Sequence, residues 1–216
     1  MIYNFADHTS VISQYLTEMR DIKTQNDKMR FRNNLMRVAQ IMAYEISKEL
    51  MYEVVQIDTP LGIAPCKKIS DKIVVASILR AGLPMHNGFL EILEQAENAF
   101  ISAYRQHHKD GTFDIKLEYV TCPNLEGKVL IIVDPMLATG ASIESTLKSL
   151  EEFGKPKNVH VATVIASTQG VNHVRRLYPK AKIWTGAIDE ELTAKSYIVP
   201  GLGDAGDLAF GTKLQE

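Results

Sequence analysis

The chain has 216 residues, of which 45% are hydrophobic and 23% are charged. This content is enough to bury one sizeable core, so we expect a single domain over residues 1–216. The 24 basic and 26 acidic residues give a net charge of −2, which provides no general attraction to nucleic acid or to anionic lipid. The two cysteines, Cys66 and Cys122, lack metal-ligand spacing, and we expect reduced thiols in a cytoplasmic protein.

The chain starts MIYNFADHTSVIS, with Asp7 early and no basic start ahead of an apolar stretch, which is unlike a secretory signal. The longest apolar runs, IVVASIL and VLIIV, are too short to span a bilayer as helices. We therefore expect a soluble protein with no membrane partner.

A long amphipathic helix is the first clear element. Asn26 or Asp27 can cap its start. Apolar residues recur at spacings of three and four, at Phe31, Leu35, Val38, Met42 and Ile46. Its arginines, Arg30, Arg32 and Arg37, are expected to form a solvated face.

The next elements are a buried strand and an arm. KIVVASIL (72–79) is apolar on both faces, which is typical of a buried parallel strand. A helix around Met85 and Phe89 follows. AFISAYR and the alternating FDIKLEYV then flank a hairpin signal at Asp110 and Gly111, which predicts a β-arm over 99–120.

The second half of the chain alternates strand and helix. The predicted strands are KVLIIV (128–133), NVHVATVIA and AKIWTGAI, and helices carrying Ile143 and Leu147, then Val171 and Val174, separate them. This alternation predicts an α/β fold with a doubly wound, mostly parallel sheet over about residues 71–190.

The stretch IIVDPMLATGAS (131–142) carries the clearest chemistry. Ligands of open α/β sheets bind beyond the carboxyl ends of the strands, where Asp134 lies. The small residues 138–142 bring N–H groups, two hydroxyls and a helix start together, which favours a monophosphate. An acid that accepts hydrogen bonds from sugar hydroxyls completes a ribose 5-phosphate site. The alternative is an ordinary connection from strand to helix, in which Asp134 only caps the helix and no ligand binds.

Three motifs resemble those of the uracil phosphoribosyltransferases. VDPMLATG with Ser142 resembles the loop for phosphoribosyl diphosphate (PRPP), ILRAGL (78–83) is similar to the diphosphate loop, and YIVPGLGDAGDLAFGTK (197–213) is similar to the uracil-binding segment. The chain has no G-x-x-x-x-G-K-[ST] pattern of a P-loop kinase. It also has no G-x-G-x-x-G pattern of a dinucleotide-binding fold after its first core strand. The similarity covers nearly the whole chain, with departures at Asn87, Ala141, and Thr168-Gln169.

The resemblance implies a type I phosphoribosyltransferase-like fold with a C-terminal base-binding segment at 191–213. It also implies a pyrimidine salvage reaction in which uracil and PRPP give UMP and diphosphate through an oxocarbenium-like transition state. The catalytic residues would be Arg80, Arg105, Asp134 and Asp204. Two arginines suit a departing diphosphate, on which negative charge grows as the bond to C1 breaks.

The same resemblance assigns the binding residues. PRPP would contact Arg80, Arg105, Asp134, Pro135, Met136, Leu137, Ala138, Thr139, Gly140, Ala141, Ser142 and Asp204. Uracil would be read by Ile198, Gly203, Asp204 and Ala205, largely through main-chain groups. Mg²⁺ would be bound mainly through PRPP, with Asp204 near it and no dedicated protein metal site. Asp207 would be a second carboxylate or would close a turn.

Several alternatives stay open at the level of sequence. An RNA-binding regulator with the same fold is disfavoured because no basic stripe with interleaved aromatic residues is present. The sequence does not decide whether the enzyme uses uracil or another base. It also does not decide whether GTP activates the enzyme, as it does in some members of the resembled family. The β-arm suggests subunit contact in a homodimer or higher homo-oligomer. Ala141 is predicted to have an ordinary helical φ, with its N–H directed at the phosphate.

Overall fold

The computed structural model describes residues 1–107 and 113–213, with side chains outside 103–118. The strands in these residues are β1 (Ile2–Asn4), β2 (Tyr52–Thr59), β3 (Gly62–Ile69), β4 (Ile73–Leu79), β5 (Glu97–His107), β6 (Phe113–Thr121), β7 (Val129–Val133), β8 (Met136–Leu137), β9 (Asn158–Ser167), β10 (Lys182–Asp189), β11 (Glu191–Leu192) and β12 (Ile198–Val199). The α-helices are α1 (Val11–Arg20), α2 (Lys28–Ser47), α3 (Leu83–Ile92), α4 (Ala141–Leu150), α5 (Thr168–Leu177) and α6 (Ala205–Phe210). None of these helices has the length and apolar content to cross a membrane.

The central sheet has the strand order β1-β10-β9-β7-β4-β5-β6, and β8 also pairs with β9. All its pairings are parallel except that of β6 with β5. The chain moves from β4 outward to β5 and β6, then returns to place β7 on the other side of β4. The strand order therefore reverses between β4 and β7. The predicted α/β fold with a mostly parallel sheet is confirmed.

Helices cover both faces of this sheet. Side chains of α1, α2 and α3 form one apolar cluster with alternate strand residues such as Val75. Side chains of α4 and α5 form the other cluster with the intervening residues Val74 and Ala76. Because both faces are buried, β4 has no polar alternation, as its sequence predicts.

Helix α2 starts where the sequence places it. The Asp27 side chain caps it by accepting hydrogen bonds from the N–H groups of Met29 and Arg30. The predicted apolar face is buried. The prediction of a solvated arginine face is wrong for Arg32, which is half-buried and donates a hydrogen bond to the carbonyl of Ala209 at 2.6 Å.

The predicted arm is continuous with the sheet. Strand β5 begins as a core strand, paired in parallel with β4 from Glu97 to Ser102. Its pairing with β6 starts at Phe100 and runs on beyond β4, with a shift of register after Ser102. The hairpin signal at Asp110 and Gly111 lies outside the described residues.

A second hairpin, β2–β3, forms a two-stranded sheet of its own. It turns at Pro60 and Leu61, where the sequence has its Pro-Leu-Gly turn signal. Large apolar side chains are exposed along it, with Val54 65%, Ile63 71% and Leu61 100% exposed. Two-stranded sheets are marginally stable alone in water, and exposed apolar side chains in this number are unusual on a single hairpin.

A buried histidine joins β9 to β10 near the amino-terminal ends of these strands. His160 is 1% exposed, and its Nδ1 accepts a hydrogen bond from Trp184 Nε1 at 3.0 Å. Trp184 stacks on Tyr3 of β1, with ring centroids 3.7 Å apart. Burial, assisted by the positive charge of Lys182, lowers the pKa of His160 to about 4.

Acidification should therefore destabilise the fold through His160. Its ring takes up a proton more readily in the unfolded chain, where the pKa is about 6.5, so stability from this group is lost as the pH falls. We expect a loss of about 2 kcal/mol in the free energy of unfolding between about pH 7 and about pH 5. Urea unfolding should show this pH dependence in the wild type and in the exposed-site control His8→Asn, and much less in His160→Asn. Equal pH dependence in all three proteins would contradict the prediction.

Candidate active site at the strand reversal

The reversal of strand order brings two of the motifs side by side. Ser77 of β4 pairs with Val133 of β7, so the loops that hold Arg80 and Asp134 leave adjacent strand ends. The loop after β4 also packs directly on β7, because a Cβ added at Gly82 would lie 2.6 Å from the Val133 carbonyl oxygen. A larger residue at position 82 would push the two loops apart.

The chain after Asp134 passes through a short strand before it enters a helix. Asp134 Oδ1 accepts a hydrogen bond from the Met136 N–H at 3.3 Å. The Pro135 carbonyl accepts from the N–H groups of Val164 and Ile165 at 3.1 and 3.0 Å. These contacts dock β8 on β9, an element that the sequence motif did not predict, and they fix the backbone around the acid.

Gly140 and Ala141, in the loop of small residues 138–142, determine how α4 starts. Gly140 has φ +85° and is the N-cap of α4, whereas Ala141 is the first helical residue and has no positive φ. The predicted ordinary φ of Ala141 is confirmed. Its N–H donates to Thr139 Oγ1 at 3.3 Å, so its direct contact with a phosphate stays a prediction.

The start of α5 supports this loop from behind. Ser167 Oγ donates to the Ala138 carbonyl at 2.5 Å and accepts from the Gly170 N–H at 2.9 Å. His173 packs against Gly140, where an added Cβ would lie 2.9 Å from the imidazole ring. The loop encloses a small pocket lined by Met136, Leu137, Ala138, Thr139, Gly140, Ser142 and Ile143. A substitution at Gly140 would therefore strain the backbone and strike His173.

An acid in the first turn of α4 is held by a lysine and a histidine. Glu144 accepts from Lys148 at 2.6 Å and contacts His173 Nε2 at 2.7 Å, and these bonds lower the pKa of its carboxyl group. Arg176 donates to His173 Nδ1 at 3.2 Å, so Nε2 is the donor to Glu144. This chain of contacts joins α5 to α4, the helix that follows the loop of small residues 138–142.

Arg80 reaches from the β4 loop to the C-terminal segment. Its Nη2 donates to Asp207 Oδ1 at 3.1 Å, and both Nη atoms lie 3.4 Å from the Gly211 carbonyl oxygen. The side chain is 43% exposed, although the strand before it is buried, and the Leu79–Arg80 peptide bond is cis. Arg105 lies in β5, and its side chain is outside those that the structure describes.

The C-terminal segment is a series of tight turns. Gly201 and Gly203 have φ values of +56° and +94°, which favour glycine. Asp204 Oδ1 accepts from the Asp207 N–H at 3.0 Å and so caps α6. Ile198 and Ala205 are buried. The turns leave main-chain groups of this segment next to the acid at position 204.

An ion pair between the partly buried Arg20 and the buried Asp189, which sequence reasoning missed, anchors these turns. Arg20 donates to both carboxylate oxygens of Asp189 at 2.8 Å and to the Gly201 carbonyl at 2.9 Å, while the Gly201 N–H donates to Asp189 at 2.8 Å. Burial pushes the pKa of Asp189 upward, but the bonds from Arg20 and Gly201 outweigh it and hold the pKa below its usual range. The only local signal was an acid at the end of a predicted strand.

The described acidic side chains near Arg80 belong to the C-terminal segment. Among the described side chains, those of residues 1–102 and 119–213, no group of three or more His, Cys, Asp or Glu is arranged to hold a metal ion. Asp204 and Asp207 are the carboxylates of the C-terminal segment near Arg80. Mg²⁺ bound mainly through substrate oxygens is compatible with this donor set.

Comparison with known proteins agrees with the fold and with the family that the motifs predict. The family model for uracil phosphoribosyltransferase matches residues 6–212. The uracil phosphoribosyltransferase of Porphyromonas gingivalis is 51% identical over 215 residues, which is 99% of both chains. That of Thermococcus gammatolerans is 35% identical, over 99% of this chain and 95% of its own. The solved structure of the AQ2163 protein from Aquifex aeolicus has a TM-score of 0.89 at 28% identity and covers 100% of both chains.

The fold is α/β, and the three loops meet at the strand reversal, where folds of this class bind their ligands. The chain belongs to the uracil phosphoribosyltransferase family, as its sequence motifs predict.

Removal of the Asp189 charge should destabilise the folded protein. Asp189→Asn leaves the guanidinium of Arg20 without its anion, and we expect a loss of about 2 kcal/mol or more in the free energy of unfolding at neutral pH. Because the pKa of Asp189 is lowered in the folded state, this stabilisation is present above about pH 4 and is lost as the pH falls through the folded-state pKa. Denaturant unfolding at several pH values measures it, with the exposed neighbour Glu190→Gln as the control. A variant as stable as the wild type near neutral pH would contradict the prediction.

Proposed function

We propose that the chain catalyses transfer of the phosphoribosyl group of PRPP to uracil, giving UMP and diphosphate. One observation carries the proposal: three motifs far apart in sequence meet at the strand reversal. Arg80 contacts Asp207 at 3.1 Å, and Gly82 packs against Val133, directly before Asp134. A diphosphate loop, a ribose loop and a base segment must meet in this way, because all three bind parts of one reacting pair.

The loop at 134–142 would hold the ribose 5-phosphate. Asp134 leaves a buried strand beside Arg80, where its carboxylate can accept hydrogen bonds from ribose hydroxyls. The pocket behind it is lined by residues 136–140 and by Ser142 and Ile143 at the start of α4. The N–H groups and partial positive charge of this helix start would attract a phosphate.

The arginines would stabilise the leaving group. As the C1–O bond of PRPP breaks, positive charge develops on the ribose and negative charge on the diphosphate. Arg80 projects at the site with 43% of its side chain exposed, so it can donate to phosphate oxygens in the fixed geometry of a guanidinium. Arg105 is proposed as the second such cation, on the strand that leads into the arm.

The C-terminal segment would read uracil through its backbone. Main-chain groups of Ile198, Gly203 and Ala205 can match the donor and acceptor edge of the base, with Asp204 between the base and PRPP. The positive φ of Gly203 lets the backbone come close to a flat ligand. In such a backbone site a purine would have polar groups left unpaired or would clash. When Mg²⁺ is bound with PRPP it would neutralise diphosphate charge, and Asp204 would be the carboxylate near it.

Assembly, regulation and location are further parts of the proposal. The apolar side chains exposed on β2–β3 support a homodimer or higher homo-oligomer. Activation by GTP stays a prediction from the family resemblance. The near-neutral charge and the free cysteines support a cytoplasmic enzyme that does not bind nucleic acid.

Asp134→Asn should keep the fold and remove most of the turnover. The amide loses the charge that ribose hydroxyls need in an acceptor and that stabilises the cationic sugar, so we expect kcat to fall by about 100-fold or more. Initial rates of UMP formation measure this, and the melting temperature should stay near that of the wild type. Nearly normal turnover in the Asp134→Asn variant would refute the ribose assignment.

A spectrophotometric screen tests the proposed reaction itself. The purified chain should convert uracil with PRPP and Mg²⁺, and it should be inactive with cytosine, hypoxanthine and adenine. Turnover of another base would show the same chemistry with a different specificity. Inactivity on all four bases, combined with salt-dependent binding of RNA at physiological ionic strength, would instead support the RNA-binding alternative.

A further inference from the structure

The contact between Arg80 and Asp207 links two substrate sites. Arg80 is the cation that the proposed function assigns to diphosphate, yet its Nη2 lies 3.1 Å from Asp207 Oδ1, and the Gly211 carbonyl oxygen is 3.4 Å away. Asp207 lies in α6, within the segment assigned to uracil. One guanidinium therefore joins the diphosphate loop to the base segment.

The backbone around Asp207 fixes where its carboxylate can reach. The Asp207 N–H is held by Asp204 Oδ1 at 3.0 Å, and its carbonyl accepts from the Gly211 N–H at 2.8 Å. A Cβ added at Gly206 would lie 3.7 Å from Arg80 Nη2 and 3.2 Å from Asp204 Oδ1. The guanidinium therefore lies against the turn that begins α6.

Electrostatics makes this contact incompatible with a fully bound diphosphate. A diphosphate on Arg80 would bring several negative charges close to the Asp207 carboxylate, and like charges at that distance repel. The Arg80–Asp207 pair is 43% and 30% exposed at its two side chains, and exposed pairs contribute at most about 1 kcal/mol. A diphosphate with its higher charge can therefore displace the carboxylate.

We propose that Asp207 is a positioning residue that holds Arg80 against the base segment until diphosphate takes its place. The proposal rests on the proposed function. Arg80 exchanges Asp207 for phosphate oxygens when PRPP binds, so the contact opposes PRPP binding. The exchange also removes a contact between the diphosphate loop and α6, which couples occupancy of the diphosphate site to the uracil segment.

The alternative role for Asp207, as a carboxylate that helps to bind Mg²⁺, has the opposite consequence. An exchange partner weakens diphosphate binding, so its neutralisation should strengthen binding with or without Mg²⁺. A metal-binding carboxylate strengthens binding of the Mg²⁺ complex, so its neutralisation should weaken binding only when Mg²⁺ is present. The sign of the effect of Asp207→Asn distinguishes the two roles.

The test is calorimetric titration of inorganic diphosphate, with and without Mg²⁺, into the full chain. We expect Asp207→Asn to lower the Kd by about 2- to 5-fold in both conditions, as the loss of a surface ion pair implies. The KM for PRPP should fall by a similar factor. Asp207→Glu, which keeps the carboxylate, should bind diphosphate like the wild type. Glu45→Gln, which breaks the exposed pair with Lys48 on α2, should change neither value.

A double-mutant cycle separates exchange from simple repulsion. If Asp207 acts through Arg80, its substitution should have a smaller effect on the Kd in an Arg80→Gln background. An unchanged Kd in Asp207→Asn, weaker binding confined to the Mg²⁺ condition, or additive effects in the cycle would each overturn the inference. If Asp207→Asn does not fold, Asp207→Ser takes its place in the double-mutant cycle with Arg80→Gln. The comparison of Asp207→Glu with the wild type is then made as before. A wild-type chain that binds neither diphosphate nor PRPP would instead refute the proposed function.

Discussion

The side-by-side pairing of β4 and β7 is the constraint on which the site depends. The chain forms β5 and β6 on one side of β4 and then returns to place β7 on the other side. The loops that follow β4 and β7 therefore begin at neighbouring strand ends. Gly82 lets the first loop lie on the carbonyl of Val133. Arg80 and Asp134 therefore share a location that neither loop could define alone. The parallel arrangement also explains why both strands are apolar apart from Ser77 of β4, since helices cover both faces of the sheet.

The C-terminal segment is held in a different way, because it contributes only two short strands that pair with each other. Apolar contacts bury Leu202, Ala205 and Ala209, but polar contacts to helices near the amino terminus fix its path. Arg20 and Arg32 each donate to a backbone carbonyl of this segment. Carbonyl oxygens at irregular turns need donors, and arginine offers several on a long side chain. Residues far from the proposed chemistry thus determine where the base segment lies.

Sequence reasoning recovered the elements that have a long, regular pattern and missed those that do not. The apolar period predicted α2, and uniform apolar runs predicted β4 and β7. Strand β1 has three residues and β8 has two, too few for any periodicity, and tertiary pairing alone forms them. The partner of Arg20 lies 169 positions away, so no local spacing could reveal it. The motifs predicted which site residues belong together, whereas their separations depend on the sheet.

The chain has one tryptophan, so its intrinsic tryptophan fluorescence comes from a single position. Trp184 lies near the start of β10, stacked on Tyr3 of the edge strand β1 and bonded to His160. The proposed ligands bind beyond the opposite, carboxyl-terminal ends of the strands. Intrinsic fluorescence therefore reports whether the amino-terminal strand is docked and is largely blind to substrate occupancy. Detachment of strand β1 from the sheet can therefore be followed by tryptophan emission, both in substrate-saturated and in ligand-free enzyme, without an introduced fluorophore.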